Sequence, residues 1–129
     1  MAPVRDTADM IAGMAPSLDP ELYHFCLVAD TTLVELALAS FIEDEGLSLI
    51  LSDTVAQTHG LTTDMPMRRI TLTVHSALDG VGLTAAVATA LSDAGIPCNM
   101  VAAYHHDHAF VPAAQADDAL AVLKQLAKS

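Results

Sequence analysis

The sequence predicts an α+β protein built from two small units, each an antiparallel sheet with helices on one face. Three observations lead there. Hydrophobic residues make up 53% of the 129 positions and charged ones only 16%, enough apolar surface to offset the entropy of ordering the chain. Short runs that alternate polar and apolar residues sit beside longer stretches with apolar residues three and four apart, the periods of strand and helix. The succession strand, helix, glycine, strand also occurs twice, with Gly46 and Gly95 in matching places.

Taken in order, residues 1–22 are broken by Pro3, Pro16 and Pro20 around one apolar turn at Met10, Ile11 and Ala12, which reads as a loose arm carrying a short helix. Residues 23–29 (Tyr-His-Phe-Cys-Leu-Val-Ala) are strand-like. Thr32 and Glu35 have capping-box spacing, so a helix is expected to start there. It would bury Leu33, Leu36, Ala37, Ser40 and Phe41 and end at Gly46. Residues 47–51 form a short strand, and Ser52 caps a short helix that stops at Gly60. In residues 69–75, Ile70, Leu72 and Val74 alternate with Thr71, Thr73 and His75, a half-buried strand. A glycine-bearing turn leads into a helix from about Val81 to Ala94, closed by Gly95 and Pro97. Residues 98–104 form a strand, His105, His106 and Asp107 a turn, and residues 108–112 a returning strand. A last helix over about 115–127 buries Ala119, Leu120, Leu123 and Leu126. Two split βαβ units of this kind, sharing or completing each other's sheets, give the ferredoxin-like βαββαβ arrangement.

The charge balance excludes several functions. Five Lys plus Arg against sixteen Asp plus Glu give a formal charge of −11, so nucleic acid and anionic membrane are poor partners. No apolar run has the length of a membrane span, and the first nine residues lack a signal-peptide core. A cytoplasmic protein with Cys26 and Cys98 as reduced, buried thiols is the expectation. The low share of charged residues further predicts a homodimer or higher homo-oligomer.

Asp79-Gly80-Val81-Gly82-Leu83, the apolar helix after it and the run from Ala94 to Val101 resemble an ACT domain. Residues 70–76, 81–87 and 106–112 are similar to those of short stand-alone tandem-ACT bacterial proteins, related to aspartate kinase regulatory domains and cytosolic arginine sensors. The resemblance implies residues 1–66 as an arm plus an abbreviated ACT-like unit, and 67–129 as a C-terminal ACT domain. It implies a non-catalytic regulatory or sensor module that binds an amino acid or similar small ligand at an ACT–ACT interface, and acts on a partner enzyme. Carried over by position, the ligand contacts are Ser76, Ala77, Asp79, Val81, Gly82, Leu83 and Asn99. The Pro that often precedes the second glycine of the turn is replaced by Val81.

The chemistry of that turn suits an amino acid. A helix start offers unpaired N–H groups and a positive dipole end to a carboxylate. Asp79 can pair with an ammonium group, and Ser76 and Asn99 supply neutral hydrogen bonds. The plainer alternative has Asp79 or Ser76 capping the helix and Gly82 permitting tight packing. Two other readings compete: an interaction module without ligand, and a metal-binding hairpin using His105, His106, Asp107 and His108, with His75 nearby. No second ligand pair has recognisable metal spacing, so no metal and no cofactor are expected. Ser76 beside His75 is no catalytic dyad, because neighbouring strand residues point to opposite faces. A single Gly-x-Gly at 80–82 is not a dinucleotide fingerprint, and no enzyme activity is expected.

Overall fold

In the computed structural model, residues 6–74 and 82–128 are described. The elements in chain order are α1 (Thr7–Gly13), β1 (Pro16–Leu18), β2 (Tyr23–Val28), β3 (Ala39–Glu43), β4 (Gly46–Ser52), α2 (Asp53–Thr58), β5 (Met67–Leu72), α3 (Leu83–Asp93), β6 (Asn99–Ala102), β7 (Asp107–Pro112) and α4 (Ala116–Lys128). This is an α+β chain of antiparallel strands and helices, the ferredoxin-like tandem expected from the sequence. It divides into two compact units, one of Met1–Pro20 with Arg68–Ser129, the other of Glu21–Met67.

In the inner unit, 21–67, the strand order is β3-β4-β2 and both pairings are antiparallel. Cys26 lies opposite Leu49, and with Leu33, Leu51 and Ala56 they form a small core. The Ser52 hydroxyl accepts the Val55 N–H at 3.3 Å, so α2 starts where a serine cap was expected.

The helix expected from Thr32 to Gly46 is not formed. Asp30, not Thr32, organises the segment: its carboxylate accepts the Thr32 N–H at 3.0 Å, an Asx turn that competes with a helix start. One 3-10 turn follows at Val34–Leu36, and then β3 pairs with β4. Phe41 and Ile42 are aromatic and β-branched, types that favour a pleated surface. They are 73% and 86% exposed, so no apolar stripe is buried there to hold a helix. Gly46 therefore closes no helix. It opens β4 at φ 152°, where a Cβ would meet the Val28 carbonyl oxygen at 2.9 Å. The matching of Gly46 with Gly95 breaks with it, since Gly95 follows a true helix at φ 74°.

The other unit is closed by residues from both ends of the chain. Its strand order is β1-β5-β7-β6. β1 runs antiparallel to β5, with Pro16 opposite Leu72 and Leu18 opposite Ile70. The N-terminal segment thus supplies an outer strand that a βαββαβ chain normally places after its second long helix. Pro16 is tolerated because it stands at the first position of an edge strand. Asp6 caps α1 by accepting the Asp9 N–H at 3.0 Å, and α1 buries Met10, 1% exposed. The segment expected as a loose arm is part of this core. The Arg69 guanidinium meets the Asp19 carboxylate at 2.9 Å and fixes the way out of β1.

Ile70, Leu72 and Val74 alternate inward as the period-two pattern predicts. They pack with Leu83, Val87 and Leu91 of α3, Ala116, Ala119 and Leu123 of α4, and Met10 of α1. All three helices thus cover one face of this sheet. Ala94, the last residue of the expected helix, is exposed and serves as the C-cap of α3. Asp107, expected in a turn, opens β7 opposite Ala102.

Candidate functional site

The start of α3 is the part of the expected ligand turn that the structure describes. Ser76, Ala77, Asp79 and Val81, together with His75 and Gly80, lie outside the described residues. Gly82 is the N-cap of α3 in the left-handed region, φ 105°, and its carbonyl accepts the Ala86 N–H at 2.9 Å. Gly82 has no side chain of its own to cap the helix, and no acid stands in the first turn of α3. Leu83, 3% exposed, is a core residue that anchors this end.

Gly82 also has a packing reason to be glycine. A Cβ built there would lie 2.7 Å from Thr7 Cγ2 and 2.8 Å from Thr7 Oγ1. The close approach of α1 and the left-handed φ account for this residue with or without a ligand.

Asn99 is not beside Gly82 within one copy. It opens β6, exposed and opposite Phe110, after α3 has run back along the sheet for eleven residues, about 16 Å at 1.5 Å per residue. A groove of about 470 Å³ lies at Asn99's end of the helix, lined by Ala88, Ser92, Gly95, Ile96, Pro97 and Cys98. Burial pushes the Cys98 thiol upward, as it does Cys26, so both are poor thiolates at neutral pH.

The histidine hairpin is tied into the sheet. His108 Nδ1 and Thr71 Oγ1 are hydrogen-bonded at 3.0 Å, and His106 Nδ1 lies 3.2 Å from the Val74 carbonyl oxygen. Burial, then the positive charge of Arg69 and of His106, push the His108 pKa downward. His105 is exposed and packs edge-on against Tyr104, centroids 4.9 Å apart. Among the described residues no group of three or more His, Cys, Asp or Glu side chains is placed to hold a metal ion.

Asp107, named with the histidine hairpin and expected in a turn, is buried at a strand start instead. It is 9% exposed, and burial raises its pKa, with His106 pulling weakly the other way. Among the described residues only His24 is another buried polar side chain. His24 has its partner, Asp53 Oδ1 at 2.7 Å, with Gln57 donating to the other carboxylate oxygen at 2.7 Å. The available signal was positional. Asp107 precedes an apolar strand at even spacing from Ala109 and Val111, so strand alternation turns it toward the helices once the strand is extended by one residue.

Residues 66–125 and residues 2–68 each match a family model described as an ACT domain. The chain is similar to the crystal structure of a protein of unknown function from Vibrio cholerae, described as a possible transport protein. That likeness covers 93% of this chain and 94% of that one, at 41% identity and a TM-score of 0.84. A protein from Agrobacterium tumefaciens is 15% identical over 88% of this chain and 89% of its own, TM-score 0.65. The ligand-free regulatory subunit of aspartate kinase from Thermus thermophilus is 10% identical, over 88% and 97%, TM-score 0.66. The last two show likeness of fold alone. A comparison with curated proteins finds no match. Among the described residues no helix is long and apolar enough to cross a membrane.

Proposed function

The chain belongs to the ACT domain family, and from that premise we propose that it is a regulatory module binding an amino acid or similar small ligand where β5 leads into α3. ACT domains are regulatory and non-catalytic. The observation that carries the reading is the start of α3, a left-handed glycine that has no side chain of its own to occupy the leading N–H groups. The N–H groups at the positive end of an eleven-residue helix suit a carboxylate. Ser76, Ala77, Asp79, Val81, Gly82 and Leu83 form the proposed contact set.

Asn99 joins this set from a second copy. Within one chain it stands at the far end of α3, so a site using both it and the turn is completed across a homodimer. A cytoplasmic setting and a regulated partner enzyme belong to the same reading. The histidine hairpin supports a metal-binding function less well, because His106 and His108 already hold Val74 and Thr71.

Thermal denaturation against each of the twenty amino acids tests the ligand. At a hundred times its dissociation constant a true ligand adds about 2.7 kcal/mol, a shift on the order of 10 °C for a domain of this size. No shift with any amino acid, for folded protein, overturns the reading. Mixing Asp79→Ala with Asn99→Ala tests the shared site. Each variant alone is expected to lose the response, and the mixed dimer to regain one of two sites; no recovery in a verified mixed dimer would mean that the two residues do not meet across an interface.

A further inference from the structure

An edge strand is where a sheet can take on another chain, and β3 is the outermost strand of the order β3-β4-β2. Among the described residues it pairs with β4 alone, so the N–H and C=O groups along its other side point out of the sheet. Proteins commonly blunt such an edge with a lysine, a proline or a bulge. β3 has none of the three. It reads Ala-Ser-Phe-Ile-Glu, and its register with β4 runs one to one from Ala39 opposite Ile50 to Glu43 opposite Gly46. Phe41 and Ile42 are successive, so they point to opposite faces, and both are exposed. A strand laid along this edge meets an apolar side chain on either face.

The face that carries Phe41 continues the apolar surface inward. Cys26, Leu49 and Leu51 turn to the small core with Ala56 of α2, so Phe25, Leu27, Ser48 and Ile50, which alternate with them, turn away from it. The register sets two rows across the sheet: Phe41, Ser48 and Leu27, then Ala39, Ile50 and Phe25. Phe25 and Leu27 are exposed, as Phe41 is. The charge beside this surface has one sign. Glu43, Asp44 and Glu45 are exposed at the turn that joins β3 to β4. Val28 lies opposite Leu47, so Asp30, two residues on, belongs to the same end of the sheet. No Lys or Arg occurs from residue 21 to residue 67. Two copies meeting here by the same surface would bring acid against acid, whereas a basic partner is attracted by every one of these groups.

We propose that β3 is the docking edge for a partner protein, which adds to this sheet an extended segment of alternating apolar and basic residues. The backbone of the edge selects a polypeptide strand. Phe41 and Ile42 select apolar side chains, and the acids at the turn select lysine or arginine over a second copy of this chain. This goes beyond the ligand reading and is independent of it, since it uses no residue of the ligand turn. Salt separates the two occupants: screening weakens the attraction of a basic segment and also the repulsion that keeps copies apart.

The test titrates the whole chain, at low salt and without amino acid, with three end-capped synthetic peptides that span β3. One alternates lysine and valine, the second has glutamate in place of lysine, and the third is the lysine peptide N-methylated at every residue. Calorimetry gives the affinities, and amide hydrogen exchange locates the contact. Expected is binding of the lysine peptide, with exchange slowed at residues 39–43 and affinity falling as salt is raised. The glutamate and N-methylated peptides should each bind about tenfold more weakly or worse, the first for want of opposite charge and the second for want of N–H donors. Phe41→Thr with Ile42→Thr, which keeps the charge and suits a strand, should lose about tenfold for the lysine peptide as well.

A lysine peptide that does not bind, or binds no better than its glutamate counterpart, overturns the proposal. Equal binding of the N-methylated peptide overturns it too, because that is adsorption by charge without strand pairing. Slowed exchange elsewhere, with residues 39–43 unchanged, places the contact on another surface and has the same force. A dimer of the protein alone at low salt, lost in Phe41→Thr with Ile42→Thr, assigns the edge to a second copy and overturns the proposal as well. The N-methylated peptide acts on the parent protein, so the outcome is decided even where the double variant fails to fold.

Discussion

Gly82 shows how one position answers to two constraints. Its φ of 105° strains any residue with a Cβ, and that Cβ would also collide with Thr7. Gly82→Ala is expected to destabilise the protein by about 1–3 kcal/mol, read from the urea midpoint. Adding Thr7→Ala should recover the steric part and leave the backbone strain, so the two changes are non-additive. Strict additivity would show that Thr7 does not press on this site. Asp107 and His108 carry the pH dependence. Asp107 has a raised pKa in the folded state, so the fold binds its proton more tightly than the unfolded chain. Stability is then greatest below the ordinary carboxylate pKa of about 4 and falls as pH rises through the folded value. His108 has a lowered pKa, so its contribution is full above about 6.5 and is lost as pH falls through the window below it. Asp107→Asn should flatten the first slope and His108→Gln the second, in denaturation curves taken between pH 4 and 8. An unchanged pH profile in either variant would count against the burial that causes these shifts.

At the scale of the element, the sequence was legible wherever a local signal and burial agreed. The alternation of Ile70, Leu72 and Val74 gave β5, and the stripe of Leu83, Val87 and Leu91 gave α3, because one face of each meets the same core. Ser52 gave the start of α2 through a cap that forms as expected; Ser52→Ala should lower stability by about 1 kcal/mol. Residues 32–46 misled because Thr32 and Glu35 resemble a capping box while the Asp30 turn and the pairing with β4 decide the outcome. A helical spacing of leucines is no evidence of a helix when the stripe is not buried as a whole: Leu33 enters the small core while Leu36 stays exposed. The N-terminal segment was misread for the opposite reason. Its prolines announce breaks, but what orders it is contact distant in sequence, Pro16 against Leu72 and Met10 in the core. The start of α3 as a helix was legible from its glycines. Asp107 was not, because a turn and a strand end carry the same residue types. If α1 is structural, Met10→Ala should cost about 2–4 kcal/mol and lower the denaturation midpoint of the whole transition. A loss confined to fraying of the first residues, with that midpoint unchanged, would return the segment to a loose arm.

For the whole molecule, charge and apolar exposure fall unevenly, and that has a consequence for assembly. Residues 21–67 contain no Lys or Arg, and they carry Glu21, Asp30, Glu35, Glu43, Asp44, Glu45, Asp53 and Asp64. Most of the large apolar side chains exposed among the described residues belong to the same unit, with Phe41 at 73% and Ile42 at 86%. Apolar burial between copies would stabilise an assembly at about 25 cal/mol per Å², while like charges on the same surface oppose it. Salt decides between them, since the screening length falls from about 30 Å at 0.01 M to about 3 Å at 1 M. Self-association is therefore expected to strengthen as salt is raised, with the mass measured by light scattering moving from monomer toward dimer. Phe41→Glu with Ile42→Glu should hold the protein monomeric at every salt concentration. If ligand sites are completed between copies, a bound amino acid should drive the same transition at low salt, because it binds the assembled form and shifts the equilibrium toward it. A mass that responds to salt but not to a ligand that binds would place the site within one copy and leave Asn99 outside it. A monomer insensitive to both would show that the exposed apolar side chains serve no contact between copies of this chain.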